Sequence, residues 1–134
     1  PFDPAKIYSF FNKEWPGVVR AKGFFWIATR PDFVGEVSQA GAFVRHQGIG
    51  RWWKAVPEER WPDSQEFRDA INNYWTEEYG DRRQEIVFIG IKNQMDENGI
   101  KKELDKLLVK NYLLNPEICH KLSDPFPQWF AEQS

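Results

Sequence analysis

The hydrophobic and polar residues at positions 18–29 form a stretch of twelve without a turn signal, which predicts the longest strand of the chain. The stretch is rich in β-branched and aromatic residues, so it predicts a strand with two distinct faces. One face is expected to be core: Ala21, Gly23, Phe25 and Ile27. The other face is a basic-aromatic stripe: Arg20, Lys22, Phe24 and Trp26. A glycine in mid-strand indicates a bulge or a close approach of another backbone at Gly23.

Apolar residues at helical spacing, together with capping residues, predict three helices. Asp3 suits the N-cap of the first helix, which ends before the Pro-Gly pair at residues 16–17. Asp63, with an acid three residues later, resembles a capping box for the second helix, which Gly80 ends. The third helix begins after Asp96 or Asn98.

Residues 34–40, 42–47 and 86–91 have the composition of three further strands. The first two follow the long strand through short connections, which favours an antiparallel meander. Residues 86–91 are apolar on both faces, so we expect them to be central, beside the first strand and covered twice. The order α-β-β-β-α-β-α predicts one α+β domain over residues 1–134. We expect a two-layer sandwich, a mostly antiparallel four-stranded sheet with helices on one face.

Helices on a single face leave the basic-aromatic stripe uncovered in this chain, so a second domain or a partner is expected there. A loop at residues 48–62 contains Trp52 and Trp53 and either plugs one end of the core or forms part of a contact surface. The proline-rich segment at residues 124–130 is expected to lie against the body through Phe126 and Trp129.

Composition narrows the function classes. A net charge of −2 disfavours non-specific binding to nucleic acid or to an anionic membrane. Cys119 is the one cysteine, which excludes an internal disulfide and a cysteine-based zinc cage and fits a cytoplasmic location. No apolar run approaches the roughly 20 residues that span a bilayer. The first residues lack a signal-peptide pattern, and a chain that opens on Pro1 is expected to be a processed or excised piece.

The sequence offers few candidate catalytic or ligand-binding residues. The sequence has no phosphate-binding loop and no Gly-x-Gly-x-x-Gly motif, so we expect no nucleotide binding by those routes and no enzyme activity from this part. His46, Cys119 and His120 are weak metal-ligand candidates, since their spacing matches no zinc motif. Arg82 and Arg83 form either an anion clamp or an ordinary solvated loop.

The basic-aromatic stripe also offers an alternative function. Residues 22–27 are close to the signature Lys/Arg-Gly-Phe/Tyr-Gly/Ala-Phe-Val, which would make Phe24 and Trp26 stacking platforms for RNA bases. Two features weaken this interpretation. Phe25 replaces a small residue, and a predicted helix stands where the other aromatic motif should precede the strand.

Five segments, in this order, resemble the CobW C-terminal domain, and together they cover nearly the whole chain. They are residues 11–26 with Arg-Ala-Lys-Gly-Phe-Phe-Trp, residues 38–41 with Ser-Gln-Ala-Gly, the Trp-Trp pair at 52–53, residues 80–90 beginning Gly-Asp-Arg-Arg-Gln, and Asp-Pro-Phe-Pro at 124–127. The first segment looks most like the zinc-associated branch of that family.

The resemblance implies a function that the residues alone do not define. Full-length members are P-loop GTPases that serve as metal chaperones or insertases, in zinc homeostasis or in cobalt delivery for cobalamin synthesis. Their phosphate loop and Cys-x-Cys-Cys metal motif lie in an N-terminal G domain; both are absent here, as is the His-rich stretch of many members. GTP, magnesium, and zinc or cobalt are therefore implied for the G domain.

This part is then expected to be a non-catalytic regulatory or client-docking domain. Its partners would be the G domain of the same protein or a metalloprotein client, while membranes and nucleic acids are not expected partners. The candidate contact residues combine the stripe with the tryptophan and arginine pairs: Arg20, Lys22, Phe24, Trp26, Trp52, Trp53, Arg82 and Arg83. Which metal and which client are served does not follow from the sequence.

Overall fold

The structure is a computed structural model that describes residues 1–110 and 112–130. Its helices and strands are α1 (Pro4–Phe11), β1 (Val18–Phe25), β2 (Phe33–Ala40), β3 (Phe43–Arg51), α2 (Gln65–Asn72), β4 (Glu85–Gly90), α3 (Glu97–Lys106) and α4 (Pro116–His120). Two short 3-10 helices, Trp53–Ala55 and Glu58–Arg60, precede α2. The predicted α+β class and element order are confirmed, with α4 as an additional short helix.

The four strands form one antiparallel sheet in the order β3-β2-β1-β4. The prediction that the last strand lies beside the first is confirmed. The prediction that it is central and covered twice is wrong, because β4 is an edge strand. Ile86 and Phe88 pack against the core, whereas Val87 and Ile89 are 62% and 57% exposed on the other face.

β1 is shorter and β3 is longer than the sequence pattern predicts. β1 ends at Phe25 because the next residues find other partners: the Gln84 side chain accepts the Trp26 N–H at 2.7 Å, and Phe2 pairs with Ile27. β3 continues to Arg51, since Gly48 and Gly50 both pair with β2 and a register shift between them leaves Ile49 as the one extra residue.

The predicted helix caps are confirmed at Asp3 and Asp96, whose side chains accept the N–H groups of the residues three further on. The second helix differs: Ser64, not Asp63, is the N-cap, because its hydroxyl accepts the Phe67 N–H. This helix also ends well before Gly80, which instead closes a tight turn with Thr76 at a positive φ of 68°.

The core lies on the face of the sheet that the alternation of β1 predicts. Ala21 and Phe25 of β1 and Val37 of β2 are buried against apolar residues of α1 and α3. Phe126 adds the C-terminal segment to the same cluster, as expected. At Gly23 the backbone of β4 approaches so closely that a Cβ would collide with it.

α1 and α3 cover this core face, but α2 does not join them. It lies at one end of the opposite face, which we call the second face, where Trp53 contacts Phe67 with ring centroids 4.8 Å apart. The aromatic residues of the loop after β3 supply the apolar surface against which this short helix packs.

Candidate functional site

The basic-aromatic stripe lies on the second face, but its four members have different surroundings. Arg20 and Lys22 are exposed, and Phe24 is half-buried. Trp26 is only 2% exposed, so the expectation that the whole stripe is open is wrong at this residue. The second face therefore has an open end at Arg20 and Lys22 and a covered end at Phe24 and Trp26.

Trp26 belongs to a separate buried cluster with Trp52, Tyr112 and Cys119. The ring of Tyr112 meets the indole of Trp26 edge-on at 5.3 Å between centroids. The Arg82 guanidinium lies 5.1 Å from the centre of the same indole. Burial of this kind makes Trp26 a structural residue of the covered end.

Arg83 sits between two aromatic rings, with its guanidinium 4.8 Å from the centre of Phe24 and 4.0 Å from that of Tyr74. It also donates to the Asp81 carbonyl at 2.9 Å and pairs with Glu85 at 3.2 Å. These contacts occupy much of its hydrogen-bonding capacity within the chain. The structure thus uses Arg83 mainly to cover Phe24.

The tryptophan pair forms a plug over the covered end. Trp52 is buried, and its ring contacts Phe24 edge-on at 6.0 Å. The carboxylate of buried Asp81 accepts the backbone N–H groups of Trp53 and Lys54, both at 2.9 Å. Asp81 therefore fixes the first 3-10 helix in place, a role that the sequence pattern did not reveal.

The open end consists of two rows of directly opposed residues, which share one face of the sheet. The first row is Arg45, Ser38, Lys22 and Val87; the second is Phe43, Ala40, Arg20 and Ile89. Among the described residues, none of the three cations makes an ion pair or a side-chain hydrogen bond. Phe43 at one margin is 81% exposed. The open end therefore combines cations on β1 and β3 with exposed apolar side chains on the two edge strands, β3 and β4.

Sequence reasoning found only part of this surface. Arg45 and Phe43 on β3, and Val87 and Ile89 on β4, were not among the candidates. The alternation along β3 and β4 indicates which of their residues share a face, but the register with β1 is needed to place them beside Arg20 and Lys22. Because β4 was expected to be central, Val87 and Ile89 were expected to be covered.

The three weak metal-ligand candidates lie in different surroundings. The His46 ring is enclosed by Tyr8, Phe11 and Phe126, and burial lowers its pKa from the usual value of 6.5. Cys119 is buried, while His120 Nε2 lies 2.9 Å from the Tyr112 hydroxyl. Over residues 1–110 and 112–130, no three His, Cys, Asp or Glu side chains come together in a group suited to a metal ion.

The geometry gives no support to base stacking on the stripe. Phe24 is covered by Arg83 and contacts Trp52, while Trp26 is covered by Arg82 and contacts Tyr112. Stacking platforms for single-stranded RNA need an accessible aromatic face. Neither ring offers one without rearrangement of the covered end.

The chain belongs to the cobalamin synthesis protein CobW C-terminal domain family, whose model matches residues 1–108. This confirms the resemblance drawn from the sequence motifs. No significant match was found among solved structures. In the described part of the chain, none of the helices combines the length and hydrophobicity of a membrane span.

Two relatives are similar over almost the whole chain. The zinc-regulated GTPase metalloprotein activator 1 of Dictyostelium discoideum is 33% identical over 130 residues, covering 93% of this chain and 27% of that protein. A zinc chaperone of Mycobacterium tuberculosis is 28% identical over 134 residues, covering 96% of this chain and 32% of that protein. The chain thus spans about a third or less of the length of these relatives.

Proposed function

We propose that this chain is the non-catalytic C-terminal docking domain of a GTPase that handles metal ions, with zinc as the favoured metal. The names of the two relatives support this assignment. In this proposal GTP, magnesium and the transported metal bind to the G domain, which corresponds to a part of the relatives that this chain does not cover. A cobalt-handling GTPase is the second possibility that family membership leaves open.

The observation that supports docking is the open end of the second face. Its three cations, Arg20, Lys22 and Arg45, pair with none of the described residues and lie beside exposed Phe43, Val87 and Ile89. Exposed apolar groups of this size, set beside charges, are typical of surfaces that contact another protein or domain. Interdomain contacts within one chain are usually more polar than a core, which suits this mixture.

We assign the G domain of the same protein as the main partner and a metalloprotein client as the competing one. The G domain would present acidic groups to the three cations and apolar groups to the margins. Contacts that differ between the nucleotide states of the G domain would then couple this surface to GTP hydrolysis. The residues of this chain take no chemical part in that reaction.

The test compares GTPase rates of the full-length protein with and without a double charge reversal, Lys22→Glu and Arg45→Glu. Like charges across the interface should weaken docking and change the rate by roughly tenfold. Lys102→Glu, on the exposed side of α3, is the matched control and should leave the rate unchanged. Wild-type rates from a folded double variant would contradict docking to the G domain, and lost metal transfer at normal rates would assign the surface to the client.

A simpler test separates this proposal from RNA binding. Single-stranded RNA should leave the tryptophan fluorescence of the protein unchanged, because Phe24 and Trp26 are already covered. Salt-sensitive quenching by RNA would instead favour the alternative function.

A further inference from the structure

The outer edge of β4 is an unpaired strand edge. β4 pairs with β1 on one side, and no strand lies on its other side in the described ranges. Such an edge presents backbone N–H and C=O groups that pair readily with another extended segment. Beside it, a groove of about 510 Å³ separates β4 from α3. Ile86 and Phe88 line one wall, and Ile100 and Leu104 line the other.

The direction of the chain at Phe2 shows how a segment attached to Pro1 would approach this groove. The Phe2 N–H donates to the Trp26 carbonyl, and the Ala28 N–H donates to the Phe2 carbonyl, both at 3.0 Å. This is the pattern of parallel pairing, as the bridge between Phe2 and Ile27 records. The chain therefore runs parallel to β1 as it enters α1.

The place beside β1 immediately before Phe2 is already filled. β4 begins at Glu85, opposite Phe24, and occupies that side of β1. Pro1 is buried, so a residue attached to its nitrogen would lie against the protein and not in open solvent. The outer side of residues 1–3 is also taken, because the Val109 N–H donates to the Pro1 carbonyl at 2.7 Å and the Asp3 N–H donates to the Leu107 carbonyl at 2.8 Å. Before that level, the outer side of β4 is the unpaired place where a segment arriving parallel to β1 would run antiparallel to β4. Phe2 itself lines the groove.

We propose that the residues preceding Pro1 in the longer protein form a fifth strand on the outer edge of β4. Alternate side chains of this strand fill the groove between β4 and α3, so an extended segment with apolar residues at every second position is required. α1 then becomes the crossover helix of a split β-α-β unit, with β4 between the two parallel strands. The inference rests on the proposed function, in which a G domain precedes this chain.

The lengths fit this occupant. β4 has six residues, so a segment of about six to eight residues at about 3.4 Å each covers it. The chain spans 27% and 32% of its two relatives, which leaves ample length for such a segment beyond the region compared. A strand of this kind would join the G domain to the sheet directly, so that movement of the G domain reaches β4 through hydrogen bonds and not through a free linker.

Hydrogen exchange on the full-length protein tests the proposal. The ten residues before Pro1 are replaced by a Gly/Ser segment of equal length, and exchange is followed at the amides of residues 85–90. We expect exchange there to become roughly tenfold faster or more, while the amides of β2, between β1 and β3, keep their rates. Equal exchange of β4 in the two proteins overturns the proposal.

A second pair of variants decides the matter where the replaced protein fails to fold. Leu104→Lys places a charge in the groove, whereas Leu114→Lys places one at an exposed leucine outside it. Because Leu104 also packs against the core that β2 shares, the amides of β2 are the internal reference. Faster exchange of β4 in the first variant alone, with the β2 amides unchanged, supports the fifth strand. Equal exchange of β4 in both variants overturns the proposal. Protection of β4 that vanishes on dilution also overturns it, because it would indicate that a second copy of the chain covers the edge. GTPase rates are not read here, so failure of domain docking leaves this result intact.

Discussion

The two ends of the second sheet face contain the same kinds of residue in different surroundings. At the covered end, Trp26 is buried, and Arg83 stacks over Phe24. At the open end, Lys22 and Arg45 form no ion pair in the described part of the chain, and Phe43 is largely exposed. The difference arises from the loop after β3 and from α2, which reach one end only.

This contrast teaches that alternation assigns a side chain to a face but not to an environment. Phe24 and Lys22 share a face two residues apart, yet one is a packing residue and the other is accessible. A basic side chain can likewise serve either purpose, because the guanidinium of Arg83 covers a ring while Arg20 faces solvent. Only what packs above each residue separates the two roles.

Substitution of Trp26 by alanine is expected to have the largest effect. Loss of a fully buried indole should lower the free energy of unfolding by about 3–5 kcal/mol. Phe43→Ala at the open end is the control and should cost no more than about 0.5 kcal/mol. Denaturant unfolding of both variants makes the measurement, and similar costs would show that the covered end is not packed.

Asp124→Asn tests how the segment at residues 124–130 is held on the core face. This segment covers part of the core face, as the tryptophan loop covers one end of the second face. Asp124 pairs with the buried Arg30 through bonds of 2.9 and 3.1 Å. Removing the carboxylate charge leaves that guanidinium without its counter-ion and should cost about 2–3 kcal/mol.

Glu103→Gln is the matched control, since it breaks the exposed pair with Lys13. Such surface pairs contribute at most about 1 kcal/mol. Thermal unfolding of both variants in one buffer distinguishes them. An Asp124→Asn protein as stable as the control would mean that the aromatic residues of the segment and the Arg30 bonds to the Phe126 and Pro127 carbonyls are enough to hold it.

His46 should make the core face sensitive to acid in a way that the open end is not. Burial lowers its pKa in the folded protein, so the unfolded chain binds the proton more readily. Its contribution to stability is complete above the unfolded pKa of about 6.5 and is lost progressively as the pH falls below that value. Melting temperatures at pH 7.5 and 5.0 should therefore differ less for His46→Phe than for wild type. If the difference in melting temperature between the two pH values is the same in His46→Phe and in wild type, other groups cause the acid sensitivity.

The smallest effect on stability is expected at the open end. Lys22→Glu and Arg45→Glu change exposed side chains that form no ion pair with residues 1–110 or 112–130, so each should alter the free energy of unfolding by less than about 0.5 kcal/mol. A loss of several kcal/mol would mean that these cations support the fold, and the double reversal would then be a poor probe of docking.

Much of the fold was predictable because it depends on local signals. The periodicity of β1, the caps at Asp3 and Asp96 and the glycine at position 23 all act within a few residues or within one strand pair. Ser64 shows the limit of such reasoning, since two neighbouring residues could cap the helix and only the backbone conformation selected one.

The site was less predictable because its environment depends on contacts between distant residues. Trp26 looked exposed because its cover comes from Tyr112 and from the loop near Trp52. β4 looked central because Val87 and Ile89, its apolar residues on the second face, were expected to be buried. An apolar strand with one open face has the same composition as a fully covered one, so its position follows from the pairing order and not from its residues.

The short segment after β1 has a consequence for how the protein is made. Ile27 is paired with Phe2, and three residues later Arg30 is bonded to Asp124, which lies 94 positions further along the chain. A ribosome delivers Phe2 and Ile27 early, whereas Asp124 emerges only after all four strands. The Arg30 guanidinium must therefore stay hydrated while the chain grows by those 94 positions. A nascent chain stalled before Asp124 would keep this region open to chaperones and proteases.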